Sequence, residues 1–133
     1  MIVVDASVAT NMLLYSDQRG KRARATLARD VEWVAPEHWK AEIFSAIRGL
    51  WLGRQVSQEQ AHRAIARLPR LGVETVAIDD LLPRMWNMRD VVSGYDAPYV
   101  ALAEARALTL VTADGRLARA ATARCRVELV TEP

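Results

Sequence analysis

Five short apolar runs stand out along the chain. They occupy positions 2–4, 32–35, 73–78, 109–112 and 126–130. The first run, Ile2 to Val4, has no polar alternation, which is typical of a strand that is covered on both faces. We therefore predict a β-strand at each of the five runs.

Apolar residues at helical spacing lie between these runs. One helix face is formed by Trp39, Ile43, Ala46, Ile47 and Leu50. Pro36 suits the start of that helix and Gly53 its end. Another helix face is predicted around Tyr99 to Ala107, and further helices at 9–14, 22–28, 57–68 and 81–91. The helix at 57–68 begins with a capping box that pairs Ser57 with Gln60.

Strands that alternate with helices indicate an α/β fold with a mainly parallel sheet covered on both faces. The 133 residues are enough for one compact core, and no repeat or linker divides them. We therefore predict a single domain over residues 1–133. In such sheets the functional crevice lies beyond the carboxyl ends of the strands, so residues at strand ends are the first candidates for chemistry.

Two carboxylates follow predicted strands directly. Asp5 ends the first run, and Asp114 comes shortly after the fourth. If these strands are neighbours, both carboxylates lie at one sheet edge, where they repel each other unless a divalent cation lies between them. Either residue alone could equally cap the helix or turn that follows.

Two further acids are candidates for the same edge. Asp96 precedes a predicted helix whose first turn tolerates Pro98, and helix starts in this topology point at the crevice. Simple helix capping remains the alternative for Asp96. Glu42 borders the apolar face of the helix that contains Trp39, where an acid is usually exposed to solvent.

Composition indicates the cellular compartment and limits the kinds of metal site that the chain can form. No apolar run approaches the length of a membrane span, and the N-terminus has no basic stretch followed by a signal region, so we expect a cytoplasmic protein. Cys125 is the only cysteine, which excludes an internal disulfide and a cysteine-rich metal site. His38 and His62 are far apart in the sequence, and we expect packing or surface roles for both.

Basic residues are mostly arginine, with 16 Arg against 2 Lys and a net charge of +2. The planar guanidinium suits phosphate and carboxylate recognition, although a GC-rich genome also produces an arginine excess. A basic cluster near the N-terminus consists of Arg19, Lys21, Arg22, Arg24 and Arg29. It fits a nucleic-acid backbone, an acidic partner segment or a solvated helix face.

The chain resembles the PIN-domain ribonucleases, and most closely the VapC toxins of bacterial and archaeal toxin–antitoxin pairs. The segments that carry the resemblance are MIVVDAS, PEHWKAEIFSAIRG, YDAPYVALAEARALTLVTAD and GRLARAA, in this order. The resemblance implies an α/β/α sandwich with a five-stranded, mainly parallel sheet in the order 3-2-1-4-5. It also implies that Asp5, Glu42, Asp96 and Asp114 form the acidic quartet of the family.

In that family the quartet binds Mg²⁺ or Mn²⁺ and cleaves a phosphodiester bond in RNA. Carboxylate oxygens are hard ligands that suit these ions. We expect Asp5 and Asp96 to be the most direct ligands, Asp114 to complete or share the site, and Glu42 to bind a second ion or orient water. Ser7 and Thr112 are expected to position carboxylates or water, with turn or capping roles as the alternative.

The resemblance also implies partners. We expect a small VapB-like antitoxin, an RNA substrate such as tRNA or rRNA, and a homodimer, with no membrane association. The alternative function is a catalytically inactive PIN-fold protein that acts as a binding module.

Overall fold

The structure, a computed structural model, describes residues 1–131 and contains one five-stranded parallel sheet. The strands are β1 (Ile2–Val4), β2 (Trp33–Pro36), β3 (Val73–Val76), β4 (Thr109–Thr112) and β5 (Val127–Leu129). Their order is β3-β2-β1-β4-β5, which confirms the expected α/β sandwich order. The single domain over 1–133 stays a prediction, and its last two positions lie outside the described residues.

Seven α-helices surround the sheet in the described part of the chain. They are α1 (Ala6–Leu14), α2 (Gln18–Leu27), α3 (Trp39–Leu52), α4 (Gln58–Arg67), α5 (Leu82–Asn87), α6 (Ala97–Arg106) and α7 (Gly115–Ala121). Two 3₁₀ turns, Leu68–Arg70 and Asp79–Leu81, precede β3 and α5. Helix α1 packs against α2, α3 and α4, while α6 packs against β1, β2, β4 and α5. The helices therefore form the two outer layers of the sandwich.

The predicted role of Pro36 is wrong, because Pro36 ends β2 instead of starting a helix. In the sheet register Pro36 lies opposite Val76 of β3, whereas β1 pairs with β2 only as far as Val34. A proline lacks the N–H group that a strand donates, and it is tolerated where one neighbour has already left the ladder. Helix α3 then begins at Trp39.

Two helix predictions also differ from the structure. The helix expected at 81–91 is a 3₁₀ turn followed by α5, which ends at Asn87. Beyond that end, the N–H groups of Val91 and Val92 both donate to the carbonyl oxygen of Met88 and form a turn. The Met88 side chain is buried and anchors this turn. Helix α7 was not predicted, because its seven residues are too few to show a clear apolar stripe.

The centre of the core is formed by strand β1 and helix α6. Val3 and Val4 are fully buried, in agreement with a strand that is covered on both faces. All residues of α6 from Ala97 to Ala103 are buried as well. Across the described residues, none of the helices has both the length and the apolar character needed to cross a membrane.

Helix α4 begins with the capping box that the sequence predicts. The Ser57 hydroxyl accepts a hydrogen bond from the Gln60 backbone N–H at 3.0 Å, and the Gln60 side chain accepts one from the Ser57 N–H at 2.9 Å. Both bonds satisfy N–H groups that the first turn of a helix leaves without intrahelical partners.

We expect Ser57→Ala to lower the free energy of unfolding by about 1 kcal/mol, because the first turn of α4 loses its cap. Urea denaturation followed by circular dichroism measures the change. Ser45→Ala, at an exposed position inside α3, is the matched control and should leave stability unchanged or slightly raised. Equal losses in both variants would contradict the capping role.

Candidate active site

Asp5 follows β1 directly, and its side chain is only 5% exposed. It occupies the N-cap position of α1 but makes no capping hydrogen bond. Instead, the hydroxyls of Ser7 and Thr112 both donate to Oδ2 of Asp5, the latter at 2.8 Å. The buried carboxylate is therefore held by two side chains from different elements, and the alternative of a helix cap does not describe it.

Burial raises the pKa of Asp5 above its ordinary value, since a charged carboxylate is poorly solvated there. The hydrogen bonds from Ser7 and Thr112 oppose this effect by stabilising the charged form, and the nearby charge of Asp96 adds to it. Burial is the largest of these causes. The end of β1 thus carries a carboxylate whose negative charge is only partly compensated by protein groups.

Ser7 and Thr112 also bind the chain that follows β4. The Ser7 hydroxyl accepts a hydrogen bond from the Ala113 N–H, and the Thr112 hydroxyl accepts one from the Asp114 N–H, both at 3.0 Å. The Asp5 N–H donates to the carbonyl oxygen of Val111 at 2.9 Å. The end of β1 and the end of β4 therefore form one connected network.

Asp96 occupies the N-cap position of α6 and is half-buried. Its side chain makes no capping hydrogen bond, so the capping alternative is not what the structure shows. The charge of Asp96 raises the pKa values of both Asp5 and Glu42, though as a smaller cause than burial. Asp96 therefore lies near two other carboxylates, and within residues 1–131 its carboxylate oxygens accept no hydrogen bond.

Glu42 lies in the first turn of α3 and approaches the same place from a different element. Its Oε1 accepts a hydrogen bond from the Tyr99 hydroxyl at 2.6 Å and lies 3.1 Å from Nε2 of His38. Burial raises the pKa of Glu42, and the charges of Asp5 and Asp96 raise it further, whereas Tyr99 and His38 lower it. Glu42 is thus not the solvent-facing acid that its sequence position alone suggested.

Asp114 occupies the N-cap position of α7 and does cap it. Its Oδ1 accepts hydrogen bonds from the N–H groups of Arg116 at 2.9 Å and Leu117 at 3.4 Å. Asp114 and Asp96 line one cavity of about 180 Å³, which Arg116 also lines. Asp114 therefore caps α7 and also lines the cavity that Asp96 lines.

The structure brings Asp5, Glu42 and Asp96 into mutual electrostatic contact and links Asp114 to Asp96 through the cavity. Within residues 1–131, no three His, Cys, Asp or Glu side chains form a ready-made metal cage. The donor set nevertheless suits a hard divalent cation, because all the candidate ligands are carboxylate oxygens whose charges repel one another. The residues therefore fit such an ion chemically.

Sequence reasoning missed two neighbours of Glu42. Tyr99 was assigned to an apolar helix face and His38 to a packing or surface role, yet both contact Oε1 of Glu42. A signal for each is present in the spacing. His38 precedes Glu42 by four positions, and Tyr99 follows Asp96 by three, so each pair shares a helix face.

A model of the PIN domain family matches residues 2–123 of the chain. VapC ribonuclease Mb0985 of Mycobacterium bovis is 39% identical over 130 residues, which cover 98% of each chain. The chain is a member of the VapC ribonuclease family of PIN-domain proteins. The four acids described above therefore belong to a PIN-domain protein, and the relatives that it matches are named ribonucleases.

Solved structures agree with this VapC-type PIN fold. Mycobacterium tuberculosis VapC20, described as a sarcin-ricin loop cleaving toxin, superposes with a TM-score of 0.66 over 90% of this chain and 95% of that chain, at 21% identity. FitAB bound to a DNA fragment superposes with a TM-score of 0.69 over 97% of this chain and 94% of that chain, at 15% identity. At these identities the likeness shows the fold.

We expect Asp5→Asn to raise the free energy of unfolding of the metal-free protein at pH 7, because the substitution removes a charge that burial destabilises. Because the folded pKa of Asp5 is raised, the native state binds the proton more tightly than the unfolded state. Stability is therefore lost as pH rises from the ordinary carboxyl range through the folded pKa. Asparagine removes this charge and still accepts the hydroxyl of Thr112.

Urea denaturation between pH 4 and pH 8 in a buffer with a chelator measures this difference. Asp90→Asn is the matched control, because Asp90 is exposed and its replacement should change stability by less than about 0.5 kcal/mol. A less stable Asp5→Asn variant at pH 7 would show that burial does not dominate the electrostatics of Asp5.

Proposed function

We propose that the chain is a Mg²⁺- or Mn²⁺-dependent endoribonuclease and the toxin component of a type II toxin–antitoxin system. The observation that carries this proposal is the meeting of three carboxylates from three separate elements, Asp5 after β1, Glu42 in α3 and Asp96 before α6. The pKa values of Asp5 and Glu42 are both raised, and in each case the charge of another carboxylate of this set contributes to the shift. A divalent cation offsets that repulsion.

The metal ligands in this proposal are Asp5, Asp96, Asp114 and Glu42. A bound Mg²⁺ or Mn²⁺ supplies charge neutralisation for the phosphate and lowers the pKa of coordinated water. The hydroxyls of Ser7 and Thr112 fix the carboxylate of Asp5, so that its orientation does not depend on the ion.

One positively charged side chain lines the same cavity, and we assign it to the RNA backbone. Arg116 lines the cavity together with Asp96 and Asp114, and its guanidinium has no acidic partner within residues 1–131. A planar guanidinium binds a phosphate through two parallel hydrogen bonds. Arg116 therefore suits the phosphate next to the bond that is cleaved.

The basic cluster at Arg19–Arg29 is less available for RNA than its sequence suggests. Three of its five members are engaged within the chain, Arg19 by Asp17, Arg24 by the carbonyl oxygen of Tyr15, and Arg29 by Glu128. Lys21 and Arg22 are exposed. The solvated-helix interpretation therefore accounts for most of this cluster, and the proposed RNA site lies at the carboxylates.

A VapB-like antitoxin and a second copy of the chain complete the proposal. Support for protein partners comes from large apolar side chains on the surface, since exposed apolar area of this kind marks interaction sites. Phe44, Trp51 and Leu52 on α3 are 52%, 46% and 54% exposed, and Trp86 on α5 is 67% exposed. A homodimer and an antitoxin complex would each cover part of this area.

We expect the purified chain to cleave RNA with Mg²⁺ or Mn²⁺ and to stop when a chelator is added. Asp5→Asn and Asp96→Asn should each lower the cleavage rate at least ~100-fold, because each removes a charge from the ion. Gel analysis of total RNA, followed by mapping of the cleaved ends, measures the effect and identifies the substrate.

Asp90→Asn is the control, and it should cleave as the wild type does. Equal rates in all the variants would overturn the proposed site. No cleavage of total RNA by the wild type, in the presence of either ion, would favour the binding module instead of the ribonuclease.

A further inference from the structure

The Tyr99 hydroxyl connects the two helices that carry candidate ligands. Tyr99 lies on α6, three residues after Asp96, and its side chain is fully buried. Its hydroxyl donates to Oε1 of Glu42 on α3 at 2.6 Å. A buried tyrosine hydroxyl needs a hydrogen-bond partner, and a carboxylate is the strongest acceptor among side chains. The bond therefore fixes Glu42 relative to the start of α6.

His38 lies beside the same oxygen. Its Nε2 lies 3.1 Å from Oε1 of Glu42 and 3.3 Å from the carbonyl oxygen of Tyr95. The His38 ring also packs edge-on against the Tyr99 ring, with 5.5 Å between the centroids. Tyr99 therefore hydrogen-bonds Oε1 and His38 lies beside it, while within residues 1–131 no hydrogen bond is made to Oε2 of Glu42.

We propose that Tyr99 and His38 are positioning residues that hold Oε1 of Glu42, so that Oε2 is the oxygen presented to a divalent cation. This inference rests on the proposed metal-dependent function. A carboxylate that is fixed through one oxygen retains a single orientation, which is how residues that contact a ligand side chain raise the affinity for the metal. Without the two contacts, Glu42 has the rotamer freedom of a half-buried glutamate.

The experiment measures Mn²⁺ binding by the chain without RNA, from the electron paramagnetic resonance signal of the free ion. We expect Tyr99→Phe, which keeps the ring and removes only the hydroxyl, to weaken Mn²⁺ binding about tenfold. Tyr15→Phe is the matched control, because Tyr15 is also buried and its hydroxyl contacts no candidate ligand. Its Mn²⁺ affinity should equal that of the wild type.

A double-mutant cycle separates positioning from a general structural effect. If Tyr99 acts through Glu42, Tyr99→Phe changes Mn²⁺ affinity in the wild type and has no further effect in a Glu42→Gln background. A loss of the same size in both backgrounds would overturn the inference. His38→Phe removes the contact from the other side, and it provides a second test of the same oxygen if Tyr99→Phe does not fold.

The outcomes distinguish this inference from the proposed function. A wild-type chain that binds no Mn²⁺ would overturn the metal-dependent function and the positioning role together. If the wild type binds Mn²⁺ and both Tyr99→Phe and His38→Phe bind it equally well, the positioning role alone is overturned. Weaker binding in both variants, with Tyr15→Phe unchanged, would support it.

Discussion

The buried carboxylate of Asp5 is the constraint on which the site depends. A charged side chain at the end of a central strand destabilises the fold unless polar groups surround it. Here the two groups come from opposite sides of a strand pair, Ser7 from the start of α1 and Thr112 from the end of β4. The parallel neighbours β1 and β4 must therefore end at the same level, as their register with Val4 opposite Val111 ensures.

The remaining acids are placed by helix starts around that fixed point. Asp96 precedes a helix that is buried along most of its length, and Glu42 lies in the first turn of another. Asp114 caps its own helix through Oδ1 and also lines the cavity. The chain thus keeps like charges close together, and their repulsion destabilises the metal-free protein. Such a concentration of repulsion is typical of functional sites.

The alternation of strands and helices was sufficient to predict a mainly parallel sheet with strand-end carboxylates as candidates, whereas the strand order and the set of four acids came from the resemblance to the PIN-domain ribonucleases. It was not sufficient for Pro36, whose place in β2 depends on where β1 stops pairing. It also missed Tyr99, whose contact with Glu42 joins two separate helices, and His38, which lies four residues before Glu42 at the start of the same helix. Local periodicity predicts which face of a helix a residue occupies. Which residue of another helix it contacts depends on how the helices pack.

Helix α6 combines a candidate ligand, a buried tyrosine and a small-residue surface in one short segment. Its positions from Ala97 to Ala103 are all buried, so a larger side chain there must displace close-packed neighbours. Evolution of new RNA preferences in such a protein therefore has little freedom in α6. Sequence variation is tolerated more readily at exposed positions away from the carboxylates, such as Trp86 on α5, where a replacement alters what the surface contacts.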